Sequence, residues 1–320
     1  MPPKTVIGSA NRKQRQIDRR ALGPLQECIV SPLTKKRYDS AVALFFKWME
    51  SEGLPLPPTT VEFDEILSSY VEHLWQEGES RSLGSNTVAG LQYVRPTLRK
   101  NLICTWRLLG AWAKRELPAR APPLTPFLVE CLAGQALALG EPMVALACLL
   151  AFYGLLRTGE VCKLKRGDLS IGENPKTLVI NLGLTKGGAR MGALESVVIN
   201  KVFVVNLAHS FCLNRAADEK LLPKQAGHFR LVFNKLISHL ELTDWGFKPY
   251  SLRRGGATDH FRTFNSLSAT VVKGRWASSK MARVYLNDGL ATLASFNFSP
   301  TNKRLKQAHD RFRSCSNLAF

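Results

Sequence analysis

MVALACLLAFYGLLRTGEVCKLKRGDL, residues 143–169, is the stretch that decides how the chain is read. Its first part, Met143 to Leu156, is an apolar run of 14 residues. A membrane span needs roughly 18–20 such residues, so the run reads as a buried helix, stopped by Gly154. Arg157-Thr158-Gly159-Glu160 then opens a short helix. A guanidinium therefore follows directly on the most apolar segment of the chain.

Downstream, TLVINL (177–182) alternates and is β-rich, Leu-Thr-Lys-Gly-Gly (184–188) is a turn, and ESVVIN (195–200) is a return strand. Helical patterns resume over 201–215, 228–240, 251–262, 266–273 and 279–287, and residues 289–320 are weakly patterned. Upstream, helices fit Phe127–Leu139 and Pro142–Tyr153. LPARAPPLTP (117–126) holds four prolines in ten residues, cannot continue a helix, and reads as a linker. Before it the chain reads as all helix. Residues 31–53 have Thr34 as N-cap and Tyr38, Val42, Phe45 and Met49 on one face. Val61–Gln76 turns Phe63, Leu67, Tyr70, Val71 and Leu74 inward. A third helix starts near Ser85 and is disturbed by Pro96. A fourth, Ile103–Leu117, carries Trp106, Leu109, Gly110 and Ala113 on one side. The predicted class is mainly α with one small antiparallel β-sheet. Its parts are a basic, disordered arm (1–30), a helical domain (31–116), the linker (117–126), a mixed α+β domain (127–290) and a tail (291–320).

Lys and Arg number 44 and Asp and Glu 25, a net charge of +19, over 320 residues of which 45% are apolar. Disordered, collagen-like and small disulfide-scaffold chains are excluded, and two domains are expected. The charge is net +6 up to residue 125 and net +13 beyond it, so both halves suit one polyanionic partner. Seven cysteines without C-x-x-C spacing read as reduced thiols of an intracellular protein. The N-terminus, MPPKTVIGSANRKQRQ, has no apolar core and is no secretory signal. His209 and Cys212 stand at i, i+3 without further metal ligands, and no G-x-x-x-x-G-K-[ST] phosphate loop is present.

Three segments in order carry a resemblance: AFYGLLRTGEVCKLKRGDL (151–169), KPYSLRRGGATDHF (248–261) and GRWASSKMARVYLNDG (274–289). They resemble the three boxes of the tyrosine recombinases, the phage-integrase family. Those boxes are an Arg with Glu three residues on, a His-x-x-Arg, and a His or Trp followed nine residues later by Tyr. The matching positions are Arg157, Arg253, Trp276 and Tyr285, and the family's hairpin Lys matches Lys186. The resemblance covers about residues 30–290. It implies a helical core-binding domain ahead of a catalytic domain, the two forming a clamp on double-stranded DNA. It further implies a tetramer on paired sites and a 3′-phosphotyrosine intermediate, without ATP, metal or other cofactor.

The chemistry needs these residue types. A planar guanidinium donates two hydrogen bonds to a phosphate and stays charged, so Arg157 and Arg253 would stabilise charge on the phosphorane. Lys186 would protonate the leaving 5′-oxygen, and Tyr285 would attack. Trp276 would pack the site and offer its indole N–H. Tyr250 stands where the family usually has His. A phenol donates a hydrogen bond but is no base at neutral pH, with an ordinary pKa of about 10. Arg254 also replaces a frequent His, and His260 reads as a packing or surface residue. There are two rival readings: a DNA-binding protein of the same fold that no longer cuts, and a type IB topoisomerase, which shares the Arg, Lys and Tyr chemistry.

Overall fold

In the computed structural model the described residues are 11–172, 176–185, 187–188, 192–222 and 226–318. The chain divides into two units between Ala119 and Arg120, inside the Pro-rich stretch.

In the first unit, local sequence sets each helix. Residues 12–22 form a helix (α1) where an unstructured arm is expected. Asn11 caps it by accepting from Gln14 N, Gln14 donates to Asp18 one turn on, and Gly23 stops it at φ 78°. It buries nothing, which is why an apolar pattern fails to reveal it. After a short turn of helix (α2, Leu25–Cys28), α3 spans Pro32–Ser51. Its cap is Ser31, whose Oγ accepts from Thr34 N at 3.2 Å, rather than Thr34 itself. Ala41, Phe45 and Met49 form its buried stripe. The next helix, α4 (Thr60–Gln76), opens on a capping box between Thr59 and Glu62. It buries the five residues expected. Helix α5 (Arg81–Val94) begins four residues ahead of Ser85 and ends before Pro96. Gly90 lets it lie against α3, since a β-carbon there would stand 2.7 Å from Val42.

The last helix of this unit, α6 (Ile103–Arg115), is turned from the expected face. Thr105, Leu109 and Trp112 are buried and Trp106 is exposed. The cause is Asp64 on α4, a buried carboxylate. It accepts from Cys104 N (2.7 Å), Thr105 N (3.0 Å) and Thr105 Oγ1 (2.6 Å), and so closes the N-terminus of α6.

The second unit has its own core around α7 (Pro126–Ala138) and α8 (Pro142–Tyr153). From Met143 to Tyr153 every residue of α8 is buried, so the helix is apolar all round because it is enclosed all round. Arg157 occupies the N-cap position of the single turn α9 (Thr158–Val161), its backbone N–H held by Glu160. A three-stranded antiparallel sheet follows in the order β1 (Leu169–Ile171), β2 (Leu178–Gly183), β3 (Glu195–Ile199). Leu178, Ile180, Val197 and Ile199 form its buried face, with Ile180 opposite both Leu169 and Val197. Helices α10 (Val202–Cys212), α11 (Ala226–His239), α12 (Tyr250–Phe264), α13 (Leu267–Gly274), α14 (Ser279–Arg283) and α15 (Asp288–Asn297) complete the sequence-expected part.

The weakly patterned tail is a helix, α16 (Lys303–Leu318), and belongs to this core. Leu305, Ala308 and Phe312 are buried among residues of α7 and α8. Gly134 makes this possible: a β-carbon there would stand 1.8 Å from the carbonyl oxygen of Ala308. His309 Nε2 meets Glu130 at 2.9 Å, and Cys131 Sγ donates to Leu305 O. The tail is therefore packed on its own chain through at least Phe312.

Candidate active site

Two adjacent glycines set the floor of the site. A β-carbon at Gly255 would stand 2.1 Å from Leu124 O, and one at Gly256 2.0 Å from Phe152 O. Only glycine lets α12 press this closely onto α8 and the segment before α7. The preceding turn of α12 carries Arg253 into the interior, where its residue exposure is 0%. Its Nη1 donates to Leu155 O and its Nη2 to Gly274 O (2.7 Å). Burial first, and then the charges of Arg157 and Arg275, lower this guanidinium's pKa to about 10.

Arg157 stands at the mouth of the same site, its side chain one-third exposed at 33%. Its backbone N–H donates to Glu160 Oε2 (2.8 Å) and its Nη1 to Oε1. The carboxylate thus fixes both the helix start and the guanidinium. Burial pushes Glu160 up, but Arg275 and Arg157 outweigh it and hold the carboxyl below the usual range. A β-carbon at Gly187 would lie 3.9 Å from Arg157 Nη2, which sets the turn after β2 beside this arginine.

The aromatic side is built from Tyr250, Trp276 and Tyr285. Gly274 lets the indole of Trp276 fold back over the end of α13, where a β-carbon would stand 1.9 Å from the ring. Tyr285 lies with its ring centroid 4.6 Å from Trp276, 5.6 Å from Tyr250 and 5.4 Å from the guanidinium carbon of Arg253. Arg253 also lies 5.0 Å from the Trp276 ring. Burial raises the Tyr285 phenol. Hydrogen bonding with Tyr250, the nearby indole of Trp276, and the charges of Arg253 and Arg157 together outweigh burial and leave it below its ordinary value. Tyr250 moves the other way, pushed up by burial and by Tyr285. The two phenols shift in opposite directions, and Tyr285 is the one nearer to ionisation.

The structure therefore brings together Arg157, Tyr250, Arg253, Trp276 and Tyr285. Lys186 lies outside the described residues. His260 belongs elsewhere, with Nδ1 3.0 Å from Thr270 Oγ1 and its ring against Phe264. Arg254 is buried beside the site, its charge felt by both tyrosines. Sequence reasoning missed Arg275 and Glu195, which lie in the same charge cluster. Nothing in their spacing signals it. Among the described residues, Arg253 Nε, Arg254 Nε, Arg275 Nε and Trp276 Nε1 are buried donors without a hydrogen-bond partner. Buried donors are nearly always paired, so this concentration is a surplus of positive donors around a phenol. Chemically it suits an anion whose charge grows as the phenol attacks it.

No protein-family model matches the chain, and no curated protein matches it. Among solved structures it is similar to a lambda integrase, seen as a dimer bound to a COC′ core site. The TM-score is 0.57 at 16% identity, over 86% of this chain and 95% of that one. It is likewise similar to the Tn1549 transposon integrase in complex with transposon right end DNA, with a TM-score of 0.59 at 14% identity, over 89% and 96%. With the helical unit, the small sheet and the arginine–tyrosine cluster in the order described, the chain has the tyrosine-recombinase fold.

Proposed function

We propose that the chain is a site-specific DNA strand transferase that cuts and rejoins duplex DNA through a covalent bond to Tyr285. The phenol oxygen attacks the phosphorus and forms a 3′-phosphotyrosine as the P–O5′ bond breaks. The 5′-oxygen takes its proton from Lys186, the residue that the resemblance nominates. Arg157 is exposed enough to meet a nonbridging oxygen directly. Arg253 contributes its buried charge and its unbonded Nε, and Trp276 its indole N–H. Tyr250, its ring 5.6 Å from that of Tyr285, would donate to the Tyr285 oxygen and help hold its pKa down. One ester replaces another, so the reaction needs no energy source or cofactor.

The observation that carries this reading is the packing of one phenol against Arg253, Trp276 and Tyr250, with its pKa held below the ordinary value. The DNA grip has its own support. In the first unit, Arg107, Lys114 and Arg115 of α6, with Ser68 of α4, line an open groove of about 890 Å³. The two integrases of similar fold were both seen on DNA. Exchange between two duplexes needs one Tyr285 per cut strand, and so a tetramer on paired sites.

Covalent trapping tests the reaction. The protein is incubated with nicked duplexes carrying candidate sites, and a protein–DNA adduct is sought on a denaturing gel. The wild type forms one and Tyr285→Phe does not. An adduct that survives Tyr285→Phe overturns the assignment. Relaxation of a supercoiled plasmid without a special site would instead identify a type IB topoisomerase.

A further inference from the structure

Arg275 follows α13 in the left-handed conformation, at φ 56° and ψ 46°. A side chain there is strained and persists only where its surroundings hold it. The holding groups are explicit. Nη2 donates to Glu160 Oε2 (3.0 Å) and to Leu155 O (3.1 Å), and Nη1 lies 3.4 Å from Glu195 Oε2. Leu155 is itself left-handed, at φ 48°, and its carbonyl also receives Arg253 Nη1. Glu195 in turn accepts from Thr185 Oγ1 (2.6 Å), which receives Gly188 N (3.1 Å). One guanidinium thus ties together the turn before α9, the start of β3 and the turn after β2.

The charges give this tie a purpose. Glu160 and Glu195 are two carboxylates, each largely buried, inside a site that is meant to attract an anion. Glu160 Oε2 is 3.9 Å from Arg253 Nη1, and Glu160 Oε1 is already bonded to Arg157. Without a third cation, Arg157 and Arg253 would be drawn further onto these carboxylates. We infer that Arg275 is a positioning residue: it neutralises Glu160 and Glu195 and so leaves Arg157 and Arg253 free to act on the phosphate and on Tyr285. This inference rests on the strand-transfer reading, but it makes a claim about the protein alone as well.

Arg275→Gly is the informative variant, because glycine accepts the left-handed backbone and removes only the side chain. Two measurements decide. The first is single-turnover adduct formation on the nicked duplex beside DNA affinity. The second needs no DNA: titration of the Tyr285 phenol by tyrosinate absorbance, as the difference from Tyr285→Phe. The charged and titratable groups around that phenol are Arg157, Arg253, Arg254 and Tyr250. Arg275→Gly should slow adduct formation about tenfold to a hundredfold, the scale of a misplaced catalytic group, with DNA affinity within about twofold. Its Tyr285 midpoint should rise, since two carboxylates then compete for the remaining arginines. Adding Glu195→Gln should recover part of the rate and lower the midpoint again. A purely structural role predicts parallel loss of DNA affinity and thermal stability, with no rescue by Glu195→Gln, and that result overturns the inference. An unchanged Tyr285 midpoint in Arg275→Gly overturns it too. If the wild type forms no adduct, the strand-transfer reading fails, and the phenol titration still decides the role of Arg275.

Discussion

Asp64 and Arg253 are both buried charges, one in each unit, and their surroundings differ in kind. Asp64 faces donors that match it: two backbone N–H groups and a hydroxyl at the start of α6. Burial pushes its pKa up, but those hydrogen bonds prevail and hold it below the ordinary value. Arg253 gives Nη1 and Nη2 to Leu155 O and Gly274 O and has Glu160 3.9 Å away, but it also faces Arg157 and Arg275, keeps an unbonded Nε, and has its pKa lowered. The first charge is closed on itself and builds a fold. The second is left in surplus, as a site for an anion requires. A buried charge therefore says little until its partners are counted.

Arg253→Met breaks the comparison most sharply. Adduct formation should fall by about 10²–10³, the scale of one preorganised donor. Stability should fall by only about 1–3 kcal/mol: Gly274 O loses its donor, while Leu155 O and Glu160 keep Arg275. Thermal melts and single-turnover assays read the two halves separately.

Asp64→Ala should do the reverse. It leaves Cys104 N and Thr105 N without an acceptor, while Thr105 Oγ1 keeps the backbone carbonyl of residue 64 at 3.3 Å, and should cost about 2–3 kcal/mol of stability in the helical unit. Adduct formation on saturating DNA, below the melting range, should barely change. Because the folded pKa of Asp64 is depressed, its contribution is present above its unfolded pKa of about 3.9 and lost as pH falls through the lower folded value. Acid titration of the wild type should show a loss that Asp64→Ala lacks.

The smallest effect is expected at Tyr250. Tyr250→Phe removes the hydrogen bond that favours ionised Tyr285 and should slow adduct formation by about tenfold. The alkaline rise of the pH–rate profile should move upward. Tyr250→His should retain more activity than Tyr250→Phe, since an imidazole N–H can donate in its place.

Much of the fold was legible because burial was written in apolar runs. Met143–Tyr153 announces an enclosed helix, and the stripe Phe63, Leu67, Tyr70, Val71 and Leu74 announces a half-buried one. Legibility failed where a polar residue took a core position. The expected face of α6 takes in Trp106 and not Thr105, because only the fold brings Asp64 to Thr105 from 41 residues away. It failed again where the core contribution was sparse: Leu305, Ala308 and Phe312 are few, and Gly134, which receives them, is remote in sequence. In the site, Arg157, Arg253, Trp276 and Tyr285 were found through the resemblance. Arg275 was not, because its value lies in a left-handed turn that aims it at Glu160, 115 positions earlier.

The packing of α16 on α7 also sets an order of events during synthesis. The helical unit has its full complement of residues once about the first third of the chain has been made. The second unit cannot close its core until Leu305, Ala308 and Phe312 have been added. At about 5–20 residues per second, α7 waits on the order of ten to thirty seconds for its partner helix, with Gly134 and its apolar neighbours uncovered. A nascent chain therefore completes its basic helical half well before the core beneath the candidate site can close, and an interrupted chain retains the first without the second.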